Sequence, residues 1–559
     1  MREKSVSLLW LVVLVLIGVV SVLLSAYAQA LSWRFLLALY PLMVILFGVA
    51  LLGQSGLRMA FVGLVISIAI AVLQFGTPIE VALGASAYGF VKSFGISISV
   101  AATMLMIFLM KEVGVLGTVS EFIKRQVVGD EVRALYVGIG FGSFLTCLGV
   151  VTPALFPPLL MAMGFGPTAA VSIAVLGYDP TTSFSLLSIP ITLPAQVGGL
   201  NAVEFAFKIA LFLPVVSTGF SFAILWLTGG RRSMRRGVVP ALVCGLSLAF
   251  ACLGMVSLDY FTGVEYVPLR VVGVVGGLCA MLSLLIYQKL TPKPLSKESN
   301  PSHATGKEVF RAFSPWIILT VLAAVVSVPQ VGSWLSNLLG SAEQVTIFAD
   351  QKIDLDLFSQ VYIWIFVAVL LSLFTLRPTG NQMRNALVFW AKRFWGPFLT
   401  FGIYFAVSFV MAFSAMEVVN GSLVTSASYG QLNMNVVLGA TLASVFGAGY
   451  VFVAASLGLF GAIVGGSEAS SNVLFLKIQR TASDAVGLSE TGFMTVYGSH
   501  AVAGGIASAV TPAKINNAVV TIDAGKETES LIMRKHLIVA VLLTIATGIM
   551  TGILVNLGI

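Results

Sequence analysis

Apolar stretches of about 20 residues, the length needed to cross the hydrocarbon core of a bilayer, recur along almost the whole chain. They cover roughly residues 6–28, 35–54, 59–76, 94–112, 133–150, 167–190, 203–228, 238–258, 266–288, 313–338, 357–376, 395–416, 435–463, 488–506 and 533–557. Several are interrupted by Gly, Pro, Ser and Thr, so the pattern predicts about 12–14 true crossings. The first run, from Val6 to about Ala26, follows Arg2 and Lys4 and ends in "AYAQA", as a cleaved leader would. It is longer than the roughly 7–15 residues of a leader's apolar segment and reads as the first spanning helix. The predicted fold is an all-α polytopic membrane protein.

Four interruptions stand out against this background. "GGSEASSNVLF" (465–475) sets two glycines, Glu468, three serines and an asparagine into an apolar region. "VVTPALFPPLL" (150–160), "GYDPTTSFSLLSIP" (177–190) and "GIASAVTPAKINNAVV" (505–520) break three other apolar runs. Irregular backbone at membrane depth is tolerated where it is buried in protein or lines a cavity, and polar side chains there are costly unless they face partners. The 465–475 stretch therefore predicts a hairpin tip or helix break, with Gly465 and Gly466 making the turn. A helix starting there would point free N–H groups, which attract anions, at a ligand. Each half of the chain holds one Thr-Pro break and one Ser/Thr-rich break, the pairing that points to a transporter site. The candidate binding residues are Thr152, Thr181, Thr182, Ser183, Ser467, Ser470, Ser471, Asn472, Thr511 and Lys514. Lys514 is the candidate counter-ion of an anionic substrate. Asp179 and Glu468 are candidates for carrying a coupling proton. Blander readings exist for each: an ordinary loop with an N-cap serine, proline kinks that shape packing, carboxylates that cap helices, and a lysine snorkelling to water.

Loop charge suggests an orientation. Basic residues cluster at Arg2 and Lys4, at 111–133, in "GGRRSMRRG", at 289–311 and at 377–393, whereas acidic residues mark 259–265 and 343–356. Basic and acidic loops alternate across single spans from 231 to 393, which predicts cytoplasmic basic loops and a cytoplasmic N-terminus. The polar stretch 291–309 reads as a cytoplasmic linker between two halves, 1–290 and 310–559. "MIFLMKEVGVLGTV" (106–119) and "MAFSAMEVVNGSLV" (411–424) share Met, Phe, Glu, Val and Val at an offset of 305. Loop charge puts Glu112 and Glu417 on opposite sides, the arrangement of an inverted repeat.

Composition agrees and narrows the function. The 559 residues are 58% hydrophobic and 10% charged, against about 25% charged in soluble domains. The formal charge of +8 belongs to loops of a membrane protein and does not suggest nucleic acid. Cys147, Cys244, Cys252 and Cys279 lack metal-type spacing, and His303, His500 and His536 are isolated, so no metal or cofactor is expected. No G-x-x-x-x-G-K-[ST] loop is present to power transport with ATP. No nucleophile with its base is visible, which argues against an enzyme.

These stretches resemble the lactate permease family of bacterial and archaeal lactate/glycolate carriers. "GGSEASSNVLF" is similar to that family's G-S-D-T-S-S-N-A-L-F motif. "FRAFSPWIILT" (310–320), "TGVEYVP" (262–268), "GGIASAVTPAKI" (504–515) and "RKHLIVAVLL" (534–543) resemble further family segments in order over nearly the whole chain. The resemblance implies proton-coupled uptake of small 2-hydroxy monocarboxylates at the cell membrane, and a fold of inverted repeats with re-entrant hairpins and broken helices. This chain departs from the family pattern at three places. Thr146 stands where the family carries a glutamate before its first Thr-Pro, Glu468 replaces an aspartate, and Ser508 replaces a lysine, with Lys514 a short way beyond. The alternatives are a sodium-coupled carrier of another carboxylate, and a channel.

Overall fold

The computed structural model of the protein describes residues 31–291 and 305–559, apart from positions 51, 53, 327, 339–343, 356, 359, 360 and 466. The expected first span over 6–28 and most of the 291–309 linker lie outside the described residues. Among the described residues nine helices are long and apolar enough to cross a bilayer on their own. They include Gly56–Gln74, Ile79–Val113, Ala202–Arg236, Val238–Thr262, Leu269–Leu290 and Lys526–Asn556. Their outer faces expose large apolar side chains such as Phe61, Leu73, Phe250, Leu282, Val321 and Ile549. Such faces suit lipid, where apolar exposure carries no penalty. The fold is therefore an all-α polytopic membrane protein.

Several expected spans turn out shorter or divided. The 133–150 run is a helix from Asp130 to Cys147 with a π-helical turn at Tyr136–Gly142. The 167–190 run stops being helical at Leu176. The 313–338 run ends at Val326, because Pro329 disfavours helix in the residue before it and starts a separate short helix, Pro329–Ser336. The 435–463 run is interrupted at Gly447, whose φ is +50°. The 395–416 run ends at Ala412, and the next residues form a small antiparallel hairpin, β3 (Met416–Val419) with β4 (Ser422–Thr425). It interlocks with an earlier hairpin, β1 (Gln344–Phe348) with β2 (Gln351–Asp354). The Ala349 N–H donates to Gly421 O at 2.8 Å and the Leu423 N–H to Asp350 Oδ1 at 2.6 Å.

The 305-residue offset does not carry over into structure. Residues 106–113 are helical, whereas their counterparts leave the helix at Ala412 and enter β3. The placement of the two glutamates is nonetheless opposed. Val81, near the start of Ile79–Val113, packs against Phe348 and Leu423 of the strand hairpins, where Glu417 sits. Glu112 lies at the other end of that helix, about 45 Å of helical rise away, where Gln382 Nε2 donates to its carbonyl. Single cysteines replacing Glu112 and Glu417, probed with an impermeant thiol reagent on oriented vesicles, are expected to label from opposite faces. Labelling of both from one face would contradict this arrangement.

The basic loops meet on the Glu112 face. Ser233, among the arginines 231–236, donates to Glu131 Oε1 at 3.0 Å, and Lys124 Nζ donates to Ala162 O at 3.3 Å. This second contact also fixes the local topology. Asp130–Cys147 and Thr152–Ala162 both open on the basic face, so they form a hairpin (hairpin A) whose tip, 148–151, lies inside the protein. Next comes a broken helix (broken helix A), Pro167–Leu176 and Ile189–Gly198, separated by irregular backbone. The second half repeats this order. Tyr450–Gly465 and Glu468–Ala485 form hairpin B, and Glu490–Ile506 with Pro512–Thr521 form broken helix B. By chain order the corresponding breaks are 148–151 with 465–467, and 177–188 with 507–511. The expectation paired them by motif, Thr-Pro with Thr-Pro. That pairing fails because the Thr-Pro lies at a hairpin tip in one half and inside a broken helix in the other. The second leg of hairpin A, Thr152–Ala162, packs along the second piece of broken helix B, and the second leg of hairpin B, Glu468–Ala485, along the second piece of broken helix A.

Candidate functional site

The four breaks converge because their local sequences forbid regular helix there. Pro153, Pro190 and Pro512 each stand in the first turn of a restarted helix, where a missing N–H costs nothing. Thr511, before Pro512, is held out of the helical region (φ −68°, ψ 117°), as a following proline favours, whereas Ile189, before Pro190, is already helical (φ −54°, ψ −39°). The break in broken helix A is more contorted. Thr182, Leu186, Leu187 and Ser188 have φ of +47°, +51°, +56° and +59°. The left-handed region costs a non-glycine residue roughly 1–2 kcal/mol, and such strain persists where surrounding structure imposes it, typically at functional sites. The surroundings do impose it: Ser188 Oγ donates to Leu269 O at 2.6 Å and Ser217 Oγ to Pro180 O at 2.6 Å. Gly505 makes the crossing of the two broken helices feasible. A Cβ there would lie 2.7 Å from Thr182 Cβ and 3.1 Å from Glu468 Oε2.

Where the breaks meet, a narrow cleft is lined by Tyr178, Asp179, Ser185, Leu186, Pro190, Ser467, Glu468, Ala469 and Lys514. Its free space is about 10 Å³, room for about one water, so the site is nearly filled by its own side chains. Lys514 is 5% exposed and Asp179 2%. Lys514 Nζ lies 3.4 Å from Asp179 Oδ2 and 4.0 Å from the centroid of the Tyr178 ring. It also donates to Ser508 Oγ, whose own hydroxyl donates to Asp179 Oδ2. Across the cleft Ser183 donates to Glu468 Oε1. Asp179 Oδ1, Glu468 Oε2, Thr182 Oγ1 and Asn472 Oδ1 are buried without a hydrogen-bond partner among the described residues. Buried polar atoms are normally paired, so these mark the place where a ligand, proton or water is due.

Three restarted helices begin at this point: Glu468–Ala485, Ile189–Gly198 and Pro512–Thr521. Helix N-termini favour anions. The Ser467 hydroxyl makes no capping bond with its own helix and stays available to a ligand. The chemistry present is thus a cation, free hydroxyl and N–H donors, and two carboxyl groups. Such a set has the charge and donors that suit a small anion and carboxyl groups that can take up a proton. It has no nucleophile–base pair for catalysis.

Of the residues proposed from sequence, Asp179, Ser467, Glu468 and Lys514 line the cleft. Ser183 stands directly behind it on Glu468, and Thr182 beside it against Gly505. Thr152, Thr181 and Thr511 support the breaks from behind. Thr152 Oγ1 lies 3.4 Å from Thr146 Oγ1 and 3.5 Å from Ala174 O, Thr181 meets Cys147 Sγ at 3.4 Å, and Thr511 Oγ1 donates to Ala507 O at 2.8 Å. Asn472 Nδ2 holds Pro190 O at 2.9 Å. Ser471 points away from the cleft, into hairpin B, where it meets His500 Nε2 at 3.2 Å and comes close to Gly461. Three positions after Glu468, it lies on the face turned to the partner leg and Glu490–Ile506. The Ser470 side chain lies outside the described residues. The sequence reading missed Tyr178, Ser185, Leu186, Pro190 and Ala469 as lining residues, and Ser508 as the hydroxyl bridging Lys514 and Asp179. All six lie inside the quoted breaks. The discriminating signal for Ser508 was its place six residues before the lone cation.

A family model for L-lactate permease matches residues 34–558. The chain belongs to the L-lactate permease family. Glycolate permease GlcA of Escherichia coli is 24% identical over 520 residues, covering 84% of this chain and 87% of that protein. The L-lactate permease of Bacillus subtilis is 24% identical over 547 residues, 88% of this chain and 91% of its relative. The L-lactate permease of Salmonella typhimurium is 23% identical over 488 residues, 81% and 84% of the two chains. Members of this family are permeases, so the convergent breaks belong to a transporter and not to an enzyme.

Proposed function

We propose that this permease is a secondary active transporter that carries a small 2-hydroxy monocarboxylate, L-lactate, D-lactate or glycolate, together with a proton. The names of its relatives support the substrate class. The observation that carries the coupling is that the one ammonium lining the cleft, Lys514, is paired with Asp179. A substrate carboxylate bonding to Lys514 would bring a second negative charge beside Asp179 in a dry site. Like charges at such distances disfavour one another strongly. A proton on Asp179 removes the conflict: the neutral carboxyl releases Lys514, and the substrate takes its place. If the Glu468 carboxyl carries a proton throughout, the empty site (Lys514 positive, Asp179 negative) is neutral. The site loaded with one proton and one monocarboxylate is neutral too. Neutral states cross a low-dielectric barrier at least cost.

In this reading the two halves, each a hairpin followed by a broken helix, act as inverted repeats that alternately open the cleft to the two sides. The basic face is cytoplasmic in the plasma membrane, as is the N-terminus. The substrate class is tested by counterflow of labelled L-lactate and glycolate in proteoliposomes against a panel of unlabelled acids. Exchange is expected with 2-hydroxy monocarboxylates and not with dicarboxylates such as succinate, whose second charge the single lysine cannot offset. Absence of exchange with every 2-hydroxy monocarboxylate would overturn the assignment.

A further inference from the structure

His500 takes no part in the coupling scheme, yet it is fully buried. Its ring lies between hairpin B and Glu490–Ile506. Gln479 Nε2 stands 2.9 Å from Nδ1, and Ser471 Oγ 3.2 Å from Nε2. The orientation of the Gln479 amide is fixed from two sides. Tyr450 donates to its Oε1 at 2.7 Å, and its Nε2 donates to Ala454 O at 3.2 Å. A carbonyl only accepts, so the nitrogen must face Ala454 and His500. An amide nitrogen only donates, so His500 Nδ1 must be the acceptor and carry no proton. The ring proton then sits on Nε2 and is donated to Ser471 Oγ. A doubly protonated ring would set the Nδ1–H against the Gln479 N–H. The described contacts of the ring include no charged side chain. Phe475 and Tyr497 lie alongside it at 5.4 and 5.9 Å. Of the charged groups packed on the same helix, Glu468 lies against Gly504 and Lys208 against Gly498.

We infer that His500 is a positioning residue. Gln479 and Tyr450 lock it as the neutral, Nε2-protonated tautomer, and it holds the leg carrying Glu468 against broken helix B. Ser471 is one turn from Glu468. Tyr497, one turn before His500, donates to Asn472 O at 2.7 Å, and Asn472 in turn holds Pro190 in the cleft wall. Two bonds from one helix thus fix the first turn of Glu468–Ala485 and, through it, two lining residues. Gly458 allows the first leg of hairpin B, Tyr450–Gly465, to close on the same point, since a Cβ there would lie 1.9 Å from the His500 carbonyl oxygen. Histidine is the usual choice for a proton carrier near neutral pH; here the hydrogen-bond directions exclude that role.

The inference rests on the transport reading for its functional half and on hydrogen-bond chemistry alone for the tautomer, so the two are tested separately. Nitrogen-15 spectra of histidine-labelled protein in bilayers, with no substrate added, should show His500 with one protonated nitrogen, Nε2, unchanged between pH 5 and 8. The signal is assigned by its loss in His500→Gln. An imidazolium that titrates in this range would overturn the proposal whatever the substrate. In transport, glutamine can still donate to Ser471 and accept from Gln479. His500→Gln should therefore keep its half-saturation concentration within about threefold, whereas His500→Phe should raise it about tenfold through loss of both bonds. Neither should move the pH profile of exchange. If both variants keep exchange but lose accumulation driven by a pH gradient, His500 carries the proton and the positioning role is wrong.

Discussion

Lys514→Met is expected to abolish measurable affinity for small carboxylates. A carboxylate entering a dry site loses its hydration, and without a cation or several donors that loss is not offset. Lys514 supplies the one ammonium among the residues lining the cleft. Removing one member of a buried, hydrogen-bonded charge pair costs about 3–5 kcal/mol, so at least a roughly 10²-fold loss is expected. The same substitution leaves Asp179 facing a methionine, with the hydroxyls of Ser508 and Ser185 as remaining hydrogen-bond donors. Part of any defect could then reflect instability. The double variant Lys514→Met/Asp179→Asn separates the two effects. With both charges gone it should regain the stability of the parent in detergent, measured by thermal unfolding, while substrate binding stays lost. Recovery of binding in the double variant would show that Lys514 serves only to neutralise Asp179 and does not touch the substrate.

The second large effect falls on coupling. Asp179→Asn keeps a group that hydrogen-bonds to Ser508 and leaves Lys514 free for substrate, but it cannot load or release a proton. Exchange of labelled for unlabelled substrate across proteoliposomes is expected to continue. Accumulation driven by an imposed pH gradient is expected to vanish. Glu468→Gln should differ. If Glu468 stays protonated through the cycle, the amide mimics it, and both exchange and gradient-driven accumulation should survive. If instead Glu468→Gln loses accumulation and Asp179→Asn keeps it, the carboxylates have swapped roles. If both still accumulate substrate against its gradient, the driving ion is not carried by either group.

The general outline of this site could be read from the amino-acid order. Polar and proline-bearing interruptions within apolar runs are rare enough at membrane depth to mark the breaks, and all nine lining residues fall within three of the four quoted stretches. The carboxylates and the lysine were identifiable because charge inside an apolar run has few inexpensive explanations. What could not be read was which way each side chain points. Ser467 and Ser471 are chemically alike and four residues apart, yet one faces the cleft from the N-cap position without a capping bond and the other turns into the hairpin. That difference is set by packing against Gly458, Gly461 and His500, contacts made with segments distant along the chain or across a turn. Leu186 carries no polar signal, and it reaches the cleft because residues 186–188 take left-handed backbone that its sequence does not favour. The interior ends of the broken spans were blurred for a similar reason. Hydropathy sees an apolar run through 133–150 and cannot see that it turns back at 148–151. The strand hairpins also escaped, because each is only four or five residues per strand and is held largely by the other.

The central claim is that one proton replaces Lys514 as the partner of Asp179 each time one monocarboxylate binds. The most direct measurement is uptake of labelled L-lactate or glycolate into proteoliposomes under three separately imposed gradients: protons, sodium and electrical potential. The account predicts accumulation under an inwardly directed proton gradient, with no response to sodium. It also predicts no response to a potassium–valinomycin potential of either sign, because the loaded and empty sites carry the same net charge. Accumulation driven by sodium, or uptake that follows the electrical potential at constant pH, would contradict it.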